Sequence, residues 1–374
     1  MTNLDPLKLM IVDDTITYRT VLKQVVRDIP DVTVVTTASN GKFALEQLAQ
    51  NEIDLVLLDV EMPEMDGLEA LRFIRKDYPH VSVVMVSGAN QTSADITIKA
   101  LEAGALDFVS KPTDTSSSEE SIVFLREKLA PIISHIQHSR VPRQETSSPS
   151  VTPTQQQVQP PTQSTFTQPS TISGSIDLIA IGISTGGPKA LNELIPNLPA
   201  DIGIPILLVI HMPPFFTKSL AQGLNDKSKL AVKEAEQGET VLPNTVYIAP
   251  GGFHMAVAPH EGSQIKITLN EDPPENSCRP AADVLFRSIL NTPKQHALTL
   301  VMTGMGSDGA LGVKTLKESN RCYSLTQSSD TCTIYGMPKA VDDMNLSDEQ
   351  VPLEMLAGRV VDLVQKYTRI GAGR

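Results

Sequence analysis

Ile179-Ala-Ile-Gly-Ile-Ser-Thr-Gly-Gly-Pro188 begins as an unbroken apolar run and ends in a glycine-rich turn with Ser184 at its tip. Such a run, bounded by turn residues, reads as a strand buried on both faces, the kind found in parallel sheets. Gly182-Ile-Ser-Thr-Gly186 fits G-x-S-x-G, in which glycines let the chain turn sharply and lift a serine hydroxyl clear of the sheet. Taken alone, the stretch is also readable as a phosphate-cradling loop or a plain strand-to-helix turn with Pro188 in the first helical turn. The plain turn is the default until a base and a group that orients it are found elsewhere.

Two later runs supply candidates. Ile206-Leu-Leu-Val-Ile-His211 and Leu298-Thr-Leu-Val-Met-Thr-Gly-Met-Gly-Ser-Asp308 are also apolar runs that lead into polar residues beside turn signals. In a parallel sheet, residues just past the carboxyl ends of the strands gather on one edge, where ligands bind. Ser184, His211 and Asp308 are therefore expected to meet as nucleophile, general base and base-orienting carboxylate of an acyl-transfer site. Their order differs from the Ser, Asp, His order of α/β hydrolases and points to a separate fold.

The 374 residues suffice for two domains, and a net charge of -12 disfavours nucleic acid or an anionic membrane as main partner. Cys278, Cys322 and Cys332 lack metal-site spacing and are expected to be buried thiols. The amino terminus has no signal pattern, and no apolar run approaches the roughly 20 residues that span a bilayer. A cytoplasmic protein without membrane insertion is expected.

Residues 7 to 138 alternate apolar runs with helical patterns, giving five βα units with strands near Leu9–Val12, Thr33–Thr37, Leu55–Leu58, Val81–Val86 and Phe108–Val109. The pattern predicts a doubly wound parallel sheet. Asp13, Asp14, Asp59, Ser87 and Lys111 all fall at strand ends and should converge on one edge. Three clustered carboxylates repel one another unless a cation joins them, and hard oxygen ligands suit Mg²⁺. A metal-bound carboxylate facing an ammonium and a hydroxyl suits acceptance of a phosphoryl group.

Val12-Asp-Asp14, Leu57-Leu-Asp-Val-Glu-Met-Pro-Glu-Met-Asp-Gly67 and Phe108-Val-Ser-Lys-Pro112 closely resemble the response-regulator receiver domain. The resemblance implies Asp59 as phosphoacceptor, with Asp14 and Asp59 ligating Mg²⁺, aided by Asp13 through water and by the Glu61 carbonyl. It also implies Ser87 and Lys111 as phosphoryl-binding groups and Phe108 as the aromatic switch. Gly88 stands where Ala is common. Residues 140 to 173, rich in Ser, Thr, Pro and Gln, cannot build a core and read as a linker reaching about 30 to 35 Å.

Beyond it, Val246–Ala258 and Gln264–Leu269 read as strands of a hairpin that adds an antiparallel edge to a second sheet, while Ala281–Leu290 and Leu353–Tyr367 read as amphipathic helices. Gly182-Ile-Ser-Thr-Gly-Gly-Pro188, His211-Met-Pro213, Tyr247-Ile-Ala-Pro-Gly-Gly252, Gly304-Met-Gly-Ser-Asp-Gly309 and Tyr335-Gly-Met-Pro338 resemble the catalytic domain of the chemotaxis protein-glutamate methylesterase (CheB) family. The resemblance implies a receiver over 1–139, a linker over 140–174 and an esterase over 175–374. It further implies hydrolysis of glutamyl methyl esters on methyl-accepting chemoreceptors, deamidation of receptor glutamines, a histidine kinase as phosphodonor, Mg²⁺ for phosphorylation, and no cofactor for ester hydrolysis. Ser184, His211 and Asp308 keep their roles, and Thr185 with the Met305 N–H are the expected oxyanion or positioning groups, ahead of His254 and His260. Ala281, Ala282, Gly223 and the segment Gln327-Ser-Ser-Asp330 depart from the family pattern. The rival reading is a phospho-dependent adaptor whose second half binds a ligand and catalyses nothing.

Overall fold

A computed structural model describes residues 5–112, 117–139, 174–262, 264–292 and 295–371. The expected linker lies almost wholly outside the described residues. The first sheet consists of β1 (Leu7–Val12), β2 (Val32–Ala38), β3 (Leu55–Asp59), β4 (Ser82–Ser87) and β5 (Asp107–Ser110), ordered β2-β1-β3-β4-β5 and parallel throughout. Helices α1 (Ile16–Arg27), α2 (Gly41–Gln50), α3 (Gly67–Asp77), α4 (Gln91–Glu102) and α5 (Ser118–Ser139) alternate with the strands. The central strand β3 is buried along its whole length, as its uninterrupted Leu-Val-Leu-Leu requires, whereas edge strand β2 alternates. The strand order reverses between β1 and β3, and the carboxylates following these two strands share that edge. Gly67 opens α3 because a Cβ there would lie 2.1 Å from the Asp59 carbonyl oxygen.

The second half contains β6 (Leu178–Ile183), α6 (Gly187–Leu194), β7 (Ile206–Ile210), α7 (Phe216–Asn225), β8 (Ala231–Glu234), β9 (Thr245–Ile248), β10 (His254–Pro259) and β11 (Ile265–Asn270). It continues with α8 (Ala282–Ser288), β12 (Ala297–Val301), α9 (Ala310–Glu318), β13 (Cys322–Gln327), α10 (Met337–Asp343), β14 (Glu349–Val351) and α11 (Leu353–Gly371). Seven strands form one parallel sheet in the order β14-β13-β12-β6-β7-β9-β8.

The hairpin differs from expectation. The stretch from Val246 to Ala258 is two strands, not one: β9 joins the parallel sheet, and β10 pairs antiparallel with β11 in a separate two-stranded sheet. The break falls at Pro250-Gly-Gly252. A Cβ on Gly251 would lie 2.3 Å from the Pro213 carbonyl carbon, and Gly252 has φ of 87°. The chain there turns against the segment after His211 instead of running straight on.

The two halves touch through α4 and α7. Gln91 donates to the Ser219 hydroxyl at 2.9 Å, Ser219 donates to Asp95 at 2.5 Å, and Lys227 pairs with Glu102 at 2.6 Å. Gly223, one of the family departures, faces Glu102 and Ile98, so its lack of a side chain lets α4 approach α7. The apolar core beneath this contact is continuous between the halves. Among the described residues, no helix is long and apolar enough to cross a membrane.

Phe286, fully buried in α8, fills the space left by three glycines: positions built at Gly182, Gly309 and Gly312 would meet its ring or Cβ at 3.5, 3.3 and 2.6 Å. Phe286→Ala is expected to destabilise the fold by about 3–5 kcal/mol, the range for emptying an aromatic core site. A shift of the urea midpoint to lower concentration, without a change in slope, checks it.

Candidate active site

The three central strands of the second sheet, β12, β6 and β7, are neighbours, and each is followed by one candidate residue. Ser184 directly follows β6, with its N–H donating to the Thr303 carbonyl at 2.9 Å. His211 directly follows β7, with its N–H donating to the Ile183 carbonyl at 3.2 Å. Asp308 lies in the loop after β12. The strand order reverses at β6, so the site occupies the crevice expected at a topological switch point. Gly304 keeps it open to the serine: a Cβ there would stand 2.7 Å from the Ser184 Cβ.

His211 Nε2 is 2.7 Å from Asp308 Oδ2, and the Asp308 side chain is 1% exposed. The imidazole is thus oriented through Nε2, the reverse of the pairing in the serine protease triad, which leaves Nδ1 as the nitrogen for a nucleophile. Among the described residues no hydrogen bond joins Ser184 to His211. Cys278 lines the same cleft as the imidazole. Catalytic contacts of this kind commonly tighten only when substrate is bound. Burial pulls the His211 pKa down, but the hydrogen bonds to Asp308 and Cys278 and their charges reverse this and push it up to about 9. Asp308 moves the opposite way: burial raises it, and His211 with the N–H groups of Asp283 and Ala282 more than compensates.

Asp308 is the most heavily solvated group in the site, and the solvent is protein. Oδ2 also accepts from Ala282 N at 2.6 Å, and Oδ1 accepts from Asp283 N, Gly309 N and the Asn276 amide, each at 3.0 Å. Ala282, a second family departure, packs against Gly182, where an added Cβ would stand 2.8 Å from its own. Gln327, a third, is buried and accepts from Thr303 N at 3.0 Å, propping the loop that leads to Asp308. Asn276, Cys278 and Asp283 were not anticipated as site residues: the first two lie in a loop without periodicity, and Asp283 sits in a helix read only as core packing. Of the three cysteines, Cys322 is buried as expected, whereas Cys278 and Cys332 are partly exposed, which corrects the expectation of buried thiols.

Thr185 and Met305 both line the cleft with Ser184, in a cavity of about 690 Å³. Met305 is 39% exposed, as a group facing incoming substrate can be. His254 is 1% exposed with Nε2 near the Pro273 carbonyl at 3.2 Å, a structural histidine as its strand position implies, although its Nδ1 is unpartnered among the described residues.

The first half contributes to the same cleft. Asp107 and Phe108 line it beside Ser184 and Thr185, and the Phe108 ring stacks on Phe216 of α7 at 4.6 Å between centroids. Asp107 is buried. Burial pushes it up to about 7, opposed by the N–H groups of Phe108 and Gly186 and by the Thr185 side chain.

At the other end of β5 lies the acidic cluster. Carboxylate oxygens of Asp13, Asp14 and Asp59 lie within 4.8 Å of one another. Lys111 reaches Asp13 at 2.8 Å and Asp59 at 2.9 Å. Burial pushes Asp59 up to about 6, with Lys111 opposing the rise and Asp13 adding to it. Three carboxylates against one ammonium leave negative charge that a hard divalent cation offsets, so this donor set fits Mg²⁺. Ser87 closes β4 next to β3, fully buried, with its oxygen accepting from Thr97 at 2.7 Å. The Glu61 side chain accepts from Ser93.

Compared with known proteins, residues 179–360 match the family described as CheB methylesterase, and residues 9–122 match the response regulator receiver domain. A protein-glutamate methylesterase/protein-glutamine glutaminase of Desulfotalea psychrophila is 40% identical over 367 residues, covering 96% of this chain and 99% of the relative. One of Trichodesmium erythraeum is 38% identical over 355 residues, covering 95% of this chain and 98% of the relative. The crystal structure of the Thermotoga maritima CheB methylesterase catalytic domain is 39% identical, covering 51% of this chain and 100% of that one, with a TM-score of 0.49.

A base must be neutral to accept a proton. If His211 is that base, ester hydrolysis should climb about tenfold per pH unit below a pKa of about 9 and level off above it. The same imidazolium–carboxylate pair should stabilise the fold fully below the ordinary imidazole pKa of 6.5 and lose that contribution as pH rises through about 9. Asp308→Asn should move the rate limb to lower pH while lowering its plateau. A rate–pH profile without a limb in this range counts against His211.

Proposed function

This chain belongs to the CheB methylesterase family, with a response-regulator receiver domain ahead of the esterase domain, and on that basis we propose a phosphorylation-activated serine hydrolase. It removes methyl esters from glutamates of methyl-accepting chemoreceptors and deamidates receptor glutamines. Residues 1–139 act as the receiver and 175–374 as the hydrolase, joined by residues 140–174. The observation that carries this reading is the convergence of Ser184, His211 and Asp308 at the ends of three adjacent parallel strands.

Ser184 attacks the ester carbonyl as His211 takes its proton on Nδ1. The oxyanion is held by donors beside Ser184, for which Thr185 and the Met305 N–H are the candidates. The imidazolium then protonates the leaving methanol, or ammonia when the substrate is a glutamine, and water returns the acyl-enzyme to serine and a glutamate carboxylate. Asp308 holds the ring with Nε2–H facing it and stabilises its charged form.

Control comes from the receiver. Asp59 accepts the phosphoryl group from a histidine kinase. Asp13, Asp14, Asp59 and the Glu61 carbonyl would hold Mg²⁺, which offsets charge on the transferring oxygens. Lys111 and Ser87 receive the phosphoryl oxygens, and Phe108 responds to them. The insertion of Asp107 and Phe108 into the esterase cleft supports a closed unphosphorylated form. A hundredfold activation requires only about 2.7 kcal/mol of differential stability between closed and open arrangements. The contacts between the halves include polar pairs between α4 and α7 and the Phe108–Phe216 ring pair.

The first experiment is the initial rate of methanol release from methylated receptor membranes, with and without Mg²⁺ and acetyl phosphate. Phosphodonor should raise the rate, and Asp59→Asn should abolish the rise while leaving the basal rate intact. Phe108→Ala should raise the rate without phosphodonor. Ser184→Ala should lose turnover by several orders of magnitude together with fluorophosphonate labelling. Near-normal hydrolysis by Ser184→Ala rules out the nucleophile, and a rate indifferent to phosphodonor rules out control through Asp59.

A further inference from the structure

Asn276 lies in the loop between β11 and α8 with φ of 52°, followed by Ser277 at 60°. Two consecutive left-handed residues outside glycine are uncommon, and Asn tolerates that region better than most. The loop is clamped on both sides of it. Glu275 and Cys278 exchange backbone hydrogen bonds at 3.0 and 2.9 Å, and Arg287 grips the Glu275 carboxylate through two nitrogens at 2.6 and 2.5 Å. Asn276 is exposed and lines the cleft, while its amide nitrogen reaches two buried acids.

That nitrogen carries two hydrogens, and each has one acceptor: Asp308 Oδ1 at 3.0 Å and Asp283 Oδ2 at 3.0 Å. Both carboxylates are buried, at 1% and 0% exposure. Asp283 is otherwise fixed through Oδ1 by the Gly312 N–H at 2.6 Å. One neutral amide therefore separates two buried acids, one of which is the partner of His211. Burial, with the Asp308 charge adding to it, pushes Asp283 up to about 6.

We propose that Asn276 is a positioning residue for the hydrolysis, acting through Asp308 on an imidazole it does not itself touch. The inference rests on the reading of Ser184, His211 and Asp308 as the catalytic unit. Apart from His211, the other donors to Asp308 are the backbone N–H groups of Ala282, Asp283 and Gly309, none of which also donates to the Asp283 carboxylate. Asn276 is the side chain that tells the two acids apart. Without it, the two buried carboxylates lose the donor they share, and the charge of each disfavours the ionised form of the other. Asp308 would then hold His211 with less charge and a looser plane. The residue type is specific: aspartate adds a third charge, and serine supplies one donor where two are needed.

The test uses the full chain, activated by phosphodonor, on a peptide carrying a glutamate γ-methyl ester. Asn276→Ala is expected to lower kcat by about tenfold to a hundredfold, the scale of a misplaced reacting group, with KM changed less than about twofold. The acid limb of its rate–pH profile should shift to lower pH. Asp283→Asn placed in the Asn276→Ala chain should restore part of kcat by removing the competing charge. Asn276→Ser, which retains one donor, should fall between wild type and Asn276→Ala, and each variant is compared at equal folded fraction by circular dichroism. An effect confined to KM makes Asn276 a substrate contact and overturns the proposal, as does an unmoved pH limb or a normal kcat. If the wild-type chain neither hydrolyses the ester nor labels at Ser184, the underlying reading fails instead.

Discussion

A carboxylate that is 1% exposed cannot remain charged unless the protein replaces its water, and the organisation of the second half follows from meeting that demand at Asp308. Five donors converge on it from four separate segments: His211 after β7, the first turn of α8, the loop at Asn276 and the following residue Gly309. None of these segments can move without stranding a buried charge. The requirement also explains the glycines. Gly182, Gly309 and Gly312 let α8 and its Phe286 press close enough to β6 and α9 for the α8 N–H groups to reach the carboxylate. Packing and electrostatics are one constraint here.

That constraint separates an enzyme from a binding module built on the same turn. A phosphate-cradling loop needs backbone N–H groups and a lysine, and Pro188 follows Gly187 where that lysine would stand. It would have no use for a histidine held at 2.7 Å by a buried acid on the neighbouring strand's loop. Pairing with Asp308 raises the His211 pKa, and perturbed titratable groups in clefts mark functional sites more often than structural ones. His254 provides the internal comparison: it is more deeply buried, and among the described residues its ring meets a backbone carbonyl instead of a carboxylate.

The parts legible in the sequence were those with a period or a strand end. Uninterrupted apolar runs marked β3, β6, β7 and β12, and the topology of parallel sheets then brought Ser184, His211 and Asp308 to one edge. The same rule gathered Asp13, Asp14, Asp59 and Lys111. It failed at Val246–Ala258, where periodicity continues across Pro250-Gly-Gly252 but the backbone cannot, because Gly251 abuts Pro213. It was silent about Asn276 and Cys278, which sit in a loop without periodicity, Asn276 reaching Asp308 32 residues further along the chain. Asp107 was hidden differently. As the first residue of a short strand it looks like part of a sheet, and its place in the cleft depends on how two halves meet.

Strand β5 is only four residues long, yet it carries Phe108 in the ester cleft and leads directly to Lys111 at the acidic cluster. At about 3.3 Å per residue the two are separated by some 10 Å of a single extended backbone. The cleft and the acidic cluster are thus joined by a span of covalent backbone shorter than the width of a helix. An extended strand is stiff along its axis, so a small pull at one end arrives at the other almost undiminished.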